Sequence, residues 1–294
     1  MLVPGNVHAC ACGCGVFDVG TSSMFPSGEG GMAFLQYAYQ DQSRNWSGSS
    51  PAPAANNDDK EIQTHFVTVG LQYMFNPSWG VQAQVPYDFR YFKAKDDAGG
   101  IMSRNWSQLG DIRVEGIYTG LFADMSAGVT LGAKLPTGSH TFDSDFVDRD
   151  TQIGTGSTDI LLGGFYRDSL TRDNKWDWFA QLQLDVPVLI QDQYRPGLEL
   201  DTAVGVDYKG LSLGSVRISP VAQLIFSERT SDSGANSGNP VSSGYQRLML
   251  SPGVEFHLHP VKLYADAEFP LYQNFTGNQL AASVLFKVSL SFMF

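Results

Sequence analysis

Apolar and polar residues alternate along most of the chain with a period of two, the spacing that puts successive side chains on opposite faces of a β-strand. From Trp79 to Tyr91, the residues Trp79, Val81, Ala83, Val85, Tyr87, Phe89 and Tyr91 share one face, and Gly80, Gln82, Gln84, Pro86, Asp88 and Arg90 share the other. The same split runs through Met32 to Gln40, Thr64 to Phe75, Asp111 to Phe122, Ala127 to Leu135, Asp159 to Arg167 and Trp178 to Val188. It continues in Glu199 to Tyr208, Val216 to Phe226, Arg247 to Phe256, Val261 to Leu271 and Leu280 to Phe294. No helical stripe exceeds two turns. The pattern predicts an all-β chain of about twelve strands, an even number as closed antiparallel membrane barrels of bacteria require.

The links between these segments alternate in length. Long ones are Asp41 to Glu61, Phe92 to Ser107, Gly138 to Ser157, Leu189 to Gly197 and Ser227 to Gly244; short ones are Asn76 to Ser78, Ala123 to Ser126, Ser169 to Lys175, Lys209 to Gly214 and His257 to Pro260. Outer-membrane barrels have short turns on the periplasmic side and long loops outside. The predicted fold is therefore a transmembrane β-barrel of the outer-membrane type with both termini periplasmic. Aromatic residues at the strand ends, such as Tyr37, Tyr73, Trp79, Tyr87, Trp176 and Tyr208, suit interfacial girdles, and the last strand ends on Phe294. Lipid, lipopolysaccharide and the machinery that inserts barrels are the partners this fold implies.

Composition narrows the field. Of 294 residues, 43% are apolar but only 17% are charged, against roughly 25% charged in ordinary soluble domains. No apolar run reaches the ~18 residues of a helical span. A net charge of −11, from 19 basic and 30 acidic residues, excludes nucleic-acid binding, which needs clustered Lys and Arg. On the polar faces, Asp88, Arg90, Asp111, Arg113, Glu115, Lys134, Asp185, Glu199, Asp201, Arg217, Arg247, Glu255, Asp266 and Glu268 are predicted to line the lumen. Intermixed signs fit a ladder of ion pairs across a narrow interior; the acidic excess fits a water-filled path for cations or polar solutes. Pro86, Pro136, Pro187, Pro220, Pro252 and Pro270 interrupt strands. They mark either lateral openings in the wall or the rim where pairing stops.

The N-terminus stands apart. Residues 1–9 resemble the end of a secretion signal, with Val7 and Ala9 at the small-residue positions of a cleavage site. Residues 10–30 form a Cys-rich segment able to enter the barrel from below as a plug, and residues 31–294 form the barrel. Cys10, Cys12 and Cys14 are the only cysteines. In an extended segment they point one way and suit a soft metal, Cu(I) or Zn. Oxidised thiols and a lipid anchor at Cys10 are the competing readings.

Several stretches resemble the outer-membrane barrel family named for the MetA pathway of phenol degradation. They are VQAQVPY (Val81–Tyr87), LGDI (Leu109–Ile112), GAKLPTG (Gly132–Gly138), IGTGSTD (Ile153–Asp159) and the closing run Tyr264–Phe294, which contains FPLYQNFTGNQL. The resemblance covers the chain from Gly31 onward. It implies an outer-membrane barrel that passes small, often aromatic, compounds, and it supplies no catalytic residues. The five histidines, His8, His65, His140, His257 and His259, have no serine in a nucleophile context, so no enzyme is expected. Asp143, Asp145, Asp148 and Asp150 lack the glycine and terminal Glu of a helical calcium loop and predict a solvated acidic loop. Two functions follow: a channel for small solutes, aromatic compounds or cations, or a closed barrel that anchors a metal or redox group at the cysteines for a periplasmic redox partner.

Overall fold

A computed structural model describes residues 25–26, 28–96, 98–236 and 242–294. The strands are β1 (Gly30–Gly48), β2 (Ser50–Pro51), β3 (Asp59–Met74), β4 (Trp79–Lys95), β5 (Ile101–Leu109), β6 (Ile112–Tyr118) and β7 (Ala127–Leu135). They are followed by β8 (Ser157–Ser169), β9 (Trp176–Ile190), β10 (Glu199–Tyr208), β11 (Leu211–Leu213), β12 (Val216–Arg229), β13 (Tyr245–Leu258) and β14 (Val261–Met293). Each long strand pairs antiparallel with its neighbours, and β14 pairs back to β1, so the sheet closes on itself. The backbone donors and acceptors of a strand have no partners within the strand; closure satisfies them without leaving an edge.

Eleven strands make the ring, one fewer than the alternation predicts. The difference lies in β14, whose 33 residues join the last two predicted strands. Val261 to Phe275 pairs with β13, and Asn278 to Met293 pairs with β1. Between them Gly277 adopts a φ of +72°, a left-handed conformation that glycine takes without steric cost. An all-antiparallel ring needs an even number of passes, so β14 has to reverse for the ring to close. Two predicted links also contain strand: β5 begins within the Phe92 to Ser107 link and pairs with β4, and β11 pairs with β12. The strand predicted for Asp111 to Phe122 stops at Tyr118. There, Thr119 turns inward, donating its N–H to Ser78 O (2.9 Å) and its hydroxyl to Pro77 O (2.7 Å).

The barrel is apolar outside and polar inside. Leu35, Val69, Leu71, Val81, Val85, Leu131, Leu162, Val204, Phe286 and Leu290 are exposed on the outer wall, while Gln36, Gln40, Gln72, Gln84, Asp88, Arg90 and Glu268 are buried inside it. An apolar surface encircling a molecule is a lipid-facing one, since water-soluble monomers expose only scattered patches. At the short-turn end the aromatics form a belt of ring contacts: Tyr73 with Phe75, Trp79 with Tyr118, Tyr166 with Trp178, and Trp176 with Tyr208. The start of β1 and the end of β14 meet at this end, where Gly31 and Phe294 exchange backbone bonds of 2.7 and 2.9 Å.

Most of the strand prolines mark neither the rim nor an open seam. Pro187 lies beside the register shift between β8 and β9, and Pro270 lies at the one between β13 and β14. Pro220 stands where the partner of β12 changes from β10 to β11. Pro252, paired with Ala222 of β12, has no partner on its β14 side, in the step between Leu250 and Gly253. A residue without an N–H is placed where the ladder has no donor to lose. Pro86 does the most: opposite it one stave of the wall splits into β5 and β6, and Gly110 N in the break donates to Pro86 O (2.9 Å).

Candidate functional site

Beyond the end of β7 the chain does not continue in the wall. Residues 136–156 fold into the lumen as a lid at the long-loop end. Phe142, Phe146, Val147 and Ile153 pack against Ile62, Phe92, Ala94, Trp106 and Leu280, all on inner faces of strands. Trp106 and Phe142 stack with centroids 4.8 Å apart. Two buried charges hold the lid from below. Arg90 donates to Thr151 O (2.5 Å) and Gln152 O (3.2 Å). Asp111 accepts from Gly138 N (3.0 Å), Thr155 N (2.8 Å) and the Thr155 hydroxyl (2.5 Å). Arg104 pairs with Asp143 on the outer side. The acidic stretch is thus folded inward rather than free in solvent, because the apolar Phe142, Phe146 and Val147 among its carboxylates have an inner wall to cover, while Asp145 stays exposed.

Below the lid lies a cavity of about 210 Å³. Its charged lining comprises Asp88, Arg90, Asp111, Arg113, Lys134, Asp185, Glu199 and Asp201 from the predicted set, with Arg149, Asp150, Asp159 and Arg229 in addition. Lys134, 7% exposed, pairs with Asp159, 1% exposed, and with Asp185 at 3.4 Å; Arg113 reaches Asp185 at 3.3 Å. This is the cross-strand ladder. Other charges are committed to backbone or to closing loops: Arg149 donates to Thr155 O (2.6 Å), and Arg229 to Asp232 (2.6 Å). Oδ1 of Asp88 and Oδ1 of Asp201 have no hydrogen-bond partner.

The rest of the predicted lining is distributed elsewhere. Glu115 faces a smaller space of about 60 Å³ below, and Arg217 and Glu255 face the short-turn mouth. Arg247, Asp266 and Glu268 line no cavity described here; they are buried. Glu268 pairs with Lys287 at 3.2 Å, and Asp266 accepts from Ser251 (2.7 Å) and Tyr264 (2.9 Å). Cys10, Cys12 and Cys14, and with them the thiolate metal site and the residues 1–9 signal end, lie outside the described residues. Among the described residues no three His, Asp, Glu or Cys side chains are grouped closely enough to hold a metal ion.

The lining residues that the alternation could not find are Arg149, Asp150, Gln152 and Tyr194, all in loops without a period. The resemblance segments carried an indirect signal. LGDI supplies Asp111 and Gly110, GAKLPTG supplies Gly138, IGTGSTD supplies Thr155, and VQAQVPY supplies Pro86. Four stretches far apart in sequence meet at one lid anchor.

No protein-family model matches the chain, and no curated protein does. Among solved structures, an outer membrane channel from Pseudomonas putida F1 is similar over 100% of both chains, with a TM-score of 0.66 and 13% identity. The fold is that of an outer-membrane β-barrel. The β domain of the Bordetella autotransporter BrkA is similar over 90% of this chain and 100% of its own, at a TM-score of 0.51 and 14% identity. The transport unit of the Escherichia coli autotransporter AIDA-I is similar over 90% of both chains, at 0.50 and 9%.

The burial of Asp148 predicts that docking of the lid depends on pH. Burial, and then the nearby Asp58, push the Asp148 carboxyl up to about 6. With the lid released into water, the same group titrates near ~4. Docking therefore takes up a proton. It is unhindered below the lower value and bears the full cost of a buried charge above the higher one. Single-channel conductance in planar bilayers is expected to be lower at pH 5 than at pH 7.5. In Asp148→Asn that difference should shrink markedly; an unchanged pH dependence would assign the titration to another group.

Proposed function

We propose that the protein is an outer-membrane channel for small solutes, with one-ring aromatic compounds and small cations as the classes that fit. The observation that carries this reading is the chamber in the lumen below the lid. A dry cavity of ~150 Å³ holds a benzene molecule, and the chamber here measures about 210 Å³. Its lining combines Phe66, Pro86, Ile153, Tyr194 and Pro196 with the charged residues, so an apolar ring and a polar substituent both find surface. The uncommitted carboxylate oxygens of Asp88 and Asp201 favour a positive charge or a hydrogen-bond donor. Similarity to an outer membrane channel over the full chain, and the resemblance to the phenol-pathway barrels, support the same reading. In it the short-turn end faces the periplasm, which puts both termini there, and the lid faces outside.

Liposome swelling with the purified full chain tests the proposal. Vesicles carrying the protein should admit benzyl alcohol and small amines faster than protein-free vesicles, and should exclude trisaccharides. Absence of flux and of conductance, both in the wild type and after removal of the lid, would refute it.

A further inference from the structure

A second residue from outside the wall occupies the lumen, toward the opposite end. Phe25 lies inside the barrel near the short-turn mouth, 7% exposed, in a slot formed by Phe165, Phe179, Val221 and Tyr264. Its ring stacks on Phe165 with centroids 4.5 Å apart and planes 13° from parallel, and it meets Phe179 edge-on at 6.1 Å. These are the two arrangements that aromatic quadrupoles prefer. The slot belongs to the wall: its four walls come from β8, β9, β12 and β14. Its occupant does not. Phe25 precedes the first strand, and next to it Arg167 donates to Pro26 O at 2.8 Å. A Cβ placed on Gly28 would meet nothing within 4 Å.

Directly beside Phe25 is the space of about 60 Å³ lined by Gln72, Gln84, Glu115, Thr130 and Gln183. Gln84 and Gln183 also line the main chamber. A solute that leaves the chamber toward the short-turn end therefore meets Phe25 as the next obstacle.

We infer that the Phe25 slot is a binding subsite for a planar aromatic ring, occupied at rest by the chain's own phenylalanine and opened when an aromatic solute takes its place. The inference rests on the channel reading and gives it a subsite and a second gate. A tethered ring competes with a free one for the same stacking partners. Removing it should tighten binding by about tenfold, equivalent to about 1.4 kcal/mol and within what an aromatic pair contributes.

The test is a titration of the detergent-purified full chain with 4-fluorophenol, followed by fluorine NMR. Phe25→Ala is expected to bind the probe about tenfold more tightly than wild type, and Phe25→Ala with Phe165→Leu should lose that gain. Heat-modifiable gel migration reports whether each variant is folded. Equal affinity in wild type and Phe25→Ala, or tight binding that survives Phe165→Leu, would overturn the subsite. Benzyl alcohol flux in wild-type liposomes alongside equal affinities would leave the channel reading standing without the slot. Tightened binding without flux in any variant, the lid-less one included, would leave the slot and remove the channel.

Discussion

Replacing residues 141–152 by a short Gly-Ser link should raise single-channel conductance several-fold. This segment carries Phe142, Phe146 and Val147, which fill the loop end of the lumen, and Thr151 and Gln152, whose carbonyls take the Arg90 guanidinium. The strands keep every ladder bond without it, because the lid contributes no strand to the ring. The barrel should still migrate as a folded species before boiling. It should melt earlier, since Ile62, Phe92 and Trp106 would exchange apolar neighbours for water. A milder form of the experiment is Asp111→Asn. Bonds to a charged acceptor contribute about 1.5–3 kcal/mol each, and the amide keeps only one acceptor oxygen for the three donors from Gly138 and Thr155. More frequent openings at unchanged peak conductance are expected. If the shortened loop conducts no better than wild type, the lid is not the constriction.

The second large effect is expected from Lys134→Met. Lys134 stands between Asp159 and Asp185, both almost fully buried, and among the described residues Arg113 is the only other cation bonded to the pair, at Asp185. Truncating one member of a buried ion network leaves charge without compensation and costs about 3–5 kcal/mol. Urea titrations of the barrel refolded in lipid vesicles should show that loss. Adding Asp159→Asn should restore much of it by removing the stranded charge. Flux should respond in the opposite sense: with one positive charge gone from the chamber wall, reversal potentials across a salt gradient should shift toward cation selectivity. A Lys134→Met barrel as stable as wild type would mean that water already solvates the two carboxylates.

Much of the architecture was legible in the residue pattern. The outward face of β4 is the one read from Trp79, Val81, Val85, Tyr87 and Phe89, and Asp88 and Arg90 are buried on the other face. That inference works because lipid and lumen impose opposite demands on alternate residues, and a shift of one position would reverse them all. The strand count was read less well. A reversal at Gly277 gives two segments in the alternation and in the pairing, but the strand runs through it without a break as one element. The lid was missed, since residues 136–156 have no period and their acidic residues resemble a solvated loop. The same holds for Phe25, one apolar residue in an irregular stretch.

The sequence alone therefore determined the wall: its all-β character, the face each side chain presents, and the alternation of long links with short turns. These are local properties, because each depends on a few neighbouring residues and on the solvent they face. Only the tertiary structure decided what occupies the interior. Whether Asp111 is a pore charge or a lid anchor depends on Gly138 and Thr155 arriving beside it. Whether Phe25 is loose chain or a plug depends on Phe165, Phe179, Val221 and Tyr264 forming one slot. Contacts between residues that lie on different strands and loops leave no periodic trace in a single sequence, and in this barrel those contacts fill the lumen.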